Sequence, residues 1–185
     1  GLVAQARQAH GDGSLTGYGA MFNSEIPIKD NDQLSFYTFG GYNRKESDAY
    51  AFTRNFSAKP ERFPTDANGD LIQVPGIIKT SADGEQYFNP HIQTHIQDLS
   101  FAAGLKGAFG ADWKWDASNT TGQNNFHFYG DKTFNAGLGP SQTHFDDGGF
   151  KFLQNTTNLN FSKLYAEVMS GFNLAFGAEF RYETY

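Results

Sequence analysis

The sequence contains no cysteine among its 185 residues. That removes a disulfide frame, a thiol nucleophile and any thiolate metal ligand. It also lacks a run of about 18 apolar residues, which excludes a membrane-crossing helix but leaves membrane-crossing strands open. Positive charge is scarce: 14 Lys and Arg stand against 20 Asp and Glu, a net charge of −6. Nucleic acid, which calls for a basic footprint, is therefore not an expected partner. The opening Gly1-Leu-Val-Ala-Gln-Ala-Arg7 has neither an initiator Met nor the charged and apolar regions of a secretory leader. It reads as a chain whose signal was removed or as an internal piece of a longer one. Aliphatic residues are few as well; hydrophobic content is 38%, yet aromatics reach 16%, with 19 Phe and 21 Gly. Aromatics suit strands and Gly breaks helices, so this balance favours long strands. A length of 185 residues ordinarily makes one domain with a real core.

The clearest period lies at the end of the chain. From Phe172 to Tyr182 the even positions are Phe172, Leu174, Phe176, Ala178, Phe180 and Tyr182, while Asn173, Ala175, Gly177, Glu179, Arg181 and Glu183 take the odd ones. Side chains alternate faces along a strand, so one face is apolar and the other small or charged. The apolar face is longer than the roughly 5–6 residues of an ordinary strand and nearer the ~9–11 of a tilted bilayer-crossing one. A long half-buried strand in a soluble sandwich would show the same pattern.

Taken in order, Gly1–Gly13 shows no period. A hairpin is expected over 14–44, with strands near Ser14–Ile28 and Gln33–Arg44 around the polar turn Lys29-Asp-Asn-Asp32. Residues 45–94 hold four of the six prolines and two Gly-containing turn signals, and are expected to form one long loop, functional or disordered and, in a barrel, extracellular. A second hairpin spans 96–129. Leu99, Phe101, Ala103, Leu105 and Phe109 share one face of its first strand, and Ser100, Ala102, Gly104, Lys106 and Ala108 the other. Trp113 and Trp115 begin its second strand, where they fit an aromatic belt at a membrane–water boundary or the capped edge of a soluble core. After a Gly-rich loop at 130–149 comes the last hairpin, 150–185. There Phe150 and Phe152 face opposite to Leu159 and Phe161, so a bulge between them is expected. The connections thus alternate short, long, short, medium, short, as in outer-membrane barrels with short turns at one end and extended loops at the other. The fold expected is all-β, an antiparallel meander of about six long strands.

Gly122-Gln-Asn-Asn-Phe-His-Phe128, Lys132-Thr-Phe-Asn-Ala-Gly-Leu-Gly139 and Asn173-Leu-Ala-Phe-Gly-Ala-Glu-Phe-Arg181 resemble TonB-dependent outer-membrane receptors, in the barrel region just after the plug. Ser14–Arg44 and Asp98–Asp116 look like that family's hairpins. The likeness rests on the order and spacing of these segments and is weakest over 45–94. It implies an incomplete segment of a barrel of about 22 strands in the outer membrane of a Gram-negative bacterium. The expected partners are lipid, a plug domain and further strands not in this sequence, a periplasm-spanning TonB-type energy transducer and a small-molecule solute. Siderophores and glycans are among the solutes such receptors carry. The alternatives from the residues alone are a soluble all-β binding or structural domain, such as a carbohydrate-binding module, and a small self-closed barrel.

Few residues suggest chemistry. Asp66-Ala-Asn-Gly-Asp70 begins like a calcium loop but lacks the later Glu, and reads as a solvated turn. His91 and His95 share a face, which suits a metal, but no carboxylate stands at metalloprotease spacing; a pair at a loop edge without metal is expected. The sequons at Asn55, Asn119 and Asn155 carry no weight in a bacterial outer-membrane protein. Lys106, Glu179, Arg181 and Glu183 are the candidates for a lumen-facing, solute-touching set, with a cross-strand ion network as the simpler reading of the last three. Asp146-Asp147 has no acid–base partner in sequence. No serine elbow, phosphate-cradling loop or triad order is present, so no catalytic residue, metal or cofactor is expected.

Overall fold

A computed structural model describes residues 9, 13–29, 33–135 and 137–185. The aperiodic lead Gly1–Gly13 and the turn Lys29–Asp32 lie almost wholly outside the described residues. The long strands are β1 (Gly13–Lys29), β2 (Leu34–Tyr50), β6 (His91–Phe109), β7 (Trp113–Asp131), β8 (His144–Tyr165) and β9 (Phe172–Thr184). They form one antiparallel sheet in the order β1-β2-β6-β7-β8-β9, and the sheet is not closed. With the insertion 51–90 set aside, that order is a plain meander. The all-β fold and six long strands hold; the small self-closed barrel does not, because β1 and β9 stand at opposite edges.

The strands outrun their expected limits where the sequence turns polar. β2 continues through Lys45-Glu-Ser-Asp-Ala-Tyr50 and β6 begins at His91, because backbone pairing needs no apolar face once a neighbouring strand offers its carbonyls. No bulge separates Phe152 from Leu159 along the β9 side: thirteen partners run unbroken from Leu153↔Thr184 to Tyr165↔Phe172. Phe152 keeps its phase and meets the ring of Tyr185 at 5.0 Å instead.

The chain divides into two compact units, 1–17 with 45–95 and 126–149, and 18–44 with 96–125 and 150–185. The first unit carries the packed core. The connection expected as a loop holds β3 (Arg54–Asn55), β4 (Lys79–Thr80) and β5 (Gln86–Phe88) in a second sheet of order β3-β5-β4, plus a 3-10 turn at Pro60–Arg62. Phe63, Ile78 and Phe88 are buried there, with Phe56, Leu71, Val74 and Phe134 packed around them. The rings of Phe63 and Phe88 meet edge to face at 4.8 Å, a favoured aromatic geometry.

In the second unit little apolar surface is hidden. Ala102 is its only buried hydrophobic among the described residues, while Phe22, Ile26, Phe101, Phe109, Phe176 and Phe180 are all exposed. Gly40 allows close approach of strands: a Cβ there would lie 2.6 Å from the Ser100 carbonyl oxygen and 3.0 Å from the Phe22 ring.

Candidate functional site

The polar face of the second unit carries a chain of charged and hydroxyl groups across four strands. Lys106 on β6 donates to Glu25 of β1, at 2.8 and 2.9 Å from its two carboxylate oxygens. The same ammonium lies 5.7 Å from the Tyr37 ring on β2. The Tyr37 hydroxyl donates to the Asp116 carboxylate on β7, at 2.8 and 3.0 Å. Alternation places these side chains together, since each strand contributes every second residue to one face. Glu25, Lys106 and Asp116 border a groove of about 880 Å³ to which all six long strands contribute, Glu25 and Ser35 on one side and Ala175 and Phe176 on the other. A concavity touched by both edge strands requires a curved sheet, and its lining mixes charged and hydroxyl groups with the rings of Trp115, Phe161 and Phe176.

The expected lumen-facing residues are not gathered into one site. Lys106 belongs to the chain just described, while Glu179, Arg181 and Glu183 form a separate group on β9. Arg181 donates to Glu179 at 2.8 Å and lies 4.0 Å from Glu183, so the ion pairs run along one strand rather than across strands. The cross-strand bond in that group is from the Gln154 amide to Glu183, at 3.0 Å. Trp113 packs edge-on against Phe176 at 5.8 Å, and Trp115 borders the groove. Glu25, Tyr37 and Asp116 were not singled out from the sequence. Their one signal was position: each sits on the polar phase of an alternating strand next to a turn.

The first unit holds a second group. His91 and His95, expected as a pair, take different partners. His91 Nδ1 lies 2.5 Å from Asp48 Oδ1, and Gln93 Nε2 donates to Asp48 Oδ2 at 2.8 Å. His95 instead meets the Tyr129 ring at 5.0 Å. Burial pushes the Asp48 carboxyl up, but hydrogen bonds from Gln93 and His91 and the charges of His91 and Lys132 outweigh it and hold Asp48 below the ordinary carboxylate value. Asp146 has the partner its sequence neighbourhood did not show: His127 Nε2 at 2.5 Å. The Gly148 amide and that imidazole draw Asp146 below the ordinary range.

The Asp66–Asp70 segment is a closed turn. Asp66 Oδ1 accepts from the amides of Asn68 and Asp70, both at 2.9 Å, and Gly69 takes the left-handed conformation at φ 86°. One of its carboxylate oxygens is thus committed to backbone, as the turn reading expects. No family model matches the chain, and neither a curated protein nor a solved structure is significantly similar to it. The geometry alone offers a groove with charged and hydrogen-bonding groups along part of its lining, and exposed aromatic rings in the same unit.

Proposed function

We propose that this chain is a segment of an outer-membrane β-barrel importer of the TonB-dependent kind, for a small polar solute. In this reading residues 18–44, 96–125 and 150–185 cross the bilayer and 45–95 lies outside the hydrocarbon. The observation that carries it is the fate of the β9 rings. Phe172, Phe176 and Phe180 are 46%, 57% and 69% exposed. A soluble sandwich would bury such a face against a facing sheet, whereas a barrel strand turns it to lipid. The Glu25–Lys106 and Tyr37–Asp116 contacts support the same reading, because a lumen is lined by the polar phase of each strand. Import through the full assembly would then draw on a plug, further strands and an energy transducer, as the sequence resemblance implies.

The absence of cysteine makes the test clean, since any cysteine introduced is the single one. Single cysteines at 173 through 182, spin-labelled in bilayers, are expected to alternate: even positions accessible to dissolved oxygen, odd positions to a water-soluble nickel chelate. Even positions shielded from both reagents would mean that protein covers the rings, and would favour the soluble binding domain.

A further inference from the structure

All four described histidines belong to the first unit, and three strands bring one of them between two carboxylates. Asp48 on β2, His91 on β6 and Asp131 on β7 place one ligand atom each within 4.8 Å of one another. We propose that these three residues form a binding site for a first-row divalent transition metal. The proposal stands apart from the importer reading and holds for a soluble chain as well.

The site is built rather than incidental. His91 is 8% exposed, and its ring meets Tyr50 at 4.4 Å, which fixes its plane. The Asp48 and Asp131 side chains keep 34% and 25% of their exposure, so the ligands form a buried floor with an open approach. Gln93 orients Asp48 through its second oxygen, the kind of supporting hydrogen bond that carboxylate ligands ordinarily have. His144 Nδ1 lies 3.5 Å from Asp131 Oδ1, and its ring stacks on Tyr129 with centroids 5.6 Å apart. β2, β6 and β7 are neighbours in the sheet, so the three ligands stand on hydrogen-bonded backbone rather than on loops.

Charge and ligand type point to the class of ion. Two carboxylates with Lys132 nearby leave a negative site, which favours a cation over an anion. Imidazole with carboxylate suits zinc, copper, nickel or iron, whereas calcium asks for six to eight oxygens. Two ligand atoms on one tetrahedral zinc stand about 3.3 Å apart for bonds of about 2.0–2.1 Å. The His91–Asp48 contact of 2.5 Å is a hydrogen bond shorter than that span. Binding therefore opens the pair slightly, and the metal takes the place of the bridging proton, which is released to solvent. The competing account is a plain imidazole–carboxylate hydrogen bond with no affinity for metal.

The test uses the whole chain without a polyhistidine tag and titrates Zn²⁺ against a chromophoric chelator. A single saturable site is expected, weakened about tenfold or more by Asp131→Asn and by His91→Gln, and unchanged by His95→Gln or Asp66→Asn. Co²⁺ in place of Zn²⁺ should show the intense visible bands of four- or five-coordination, and Ca²⁺ should not compete. Melting in chelator separates folding from binding; if His91→Gln does not fold, the more exposed Asp131→Asn decides. No binding below about 1 mM, an affinity indifferent to Asp131→Asn, or a Co²⁺ spectrum of the free aqua ion overturns the proposal.

Discussion

At the scale of single residues, local hydrogen bonding decides what each acidic group does. Asp66 is held below the ordinary carboxylate value chiefly by the amides of Asp70 and Asn68. A depressed folded-state value means that the charged form supports the turn above the unfolded value, and that the support is lost as pH falls through the folded one. Asp66→Ala should therefore speed hydrogen exchange at the Asn68 and Asp70 amides at neutral pH. The difference from the parent should shrink as pH falls below the ordinary aspartate range. A difference that persists undiminished in acid would assign the effect to something other than the carboxylate. Gly40 is a residue of the opposite kind, chosen for what it omits. Because a Cβ would meet the Ser100 carbonyl at 2.6 Å, Gly40→Ala must push β2 from β6 and should cost about 1–3 kcal/mol in a denaturant titration.

At the scale of elements, alternation made the long strands legible and left their surroundings obscure. Phe172 through Tyr182 announce their strand because half-exposed pairing leaves a strict period of two. The connection 51–90 has no such period: its strands are two or three residues long, and its core is assembled from single rings far apart in sequence, such as Phe63 and Phe88. Proline and glycine there signal turns, not the packing between them. Truncating Phe63 to Ala should cost that unit about 3–5 kcal/mol. Proteolysis between residues 51 and 90 should accelerate while the far-ultraviolet spectrum of the long strands persists. The candidate sites were equally hidden, since Asp48 and Asp131 reach His91 only through strand order, and Glu25 reaches Lys106 across β2. Asn119 and Asn155 show the same limit. Read as idle sequons, they exchange reciprocal amide bonds at 2.9 and 3.0 Å, with Thr121 and Thr157 joining at 2.6 and 2.8 Å. Asn155 shares its strand face with Leu159 and Phe161, so this ladder satisfies polar groups that stand beside apolar ones. A double-mutant cycle of Asn119→Ala and Asn155→Ala should give a coupling of about 0.5–3 kcal/mol, larger than additive behaviour allows.

At the scale of the whole molecule, the six-stranded sheet ends, among the described residues, in two unpaired edges, β1 and β9, and leaves aromatic rings uncovered beside one of them. An edge strand is a template for further pairing, and exposed apolar surface drives association in water. Both tendencies are expected of a sheet that other strands and lipid would complete. In detergent-free buffer the chain should self-associate, and micelles should return it to monomers, as read by sedimentation. Phe176→Ser with Phe180→Ser removes two half-exposed rings without touching backbone pairing. On area grounds the loss is about 2–4 kcal/mol of association free energy, which weakens self-association by roughly 30- to 1000-fold. Strand content should be unchanged in micelles, because the thirteen β8–β9 partners remain. A parent chain that stays monomeric in plain buffer, with both rings present, would mean that its own residues cover the face, and no lipid would then be needed to account for it.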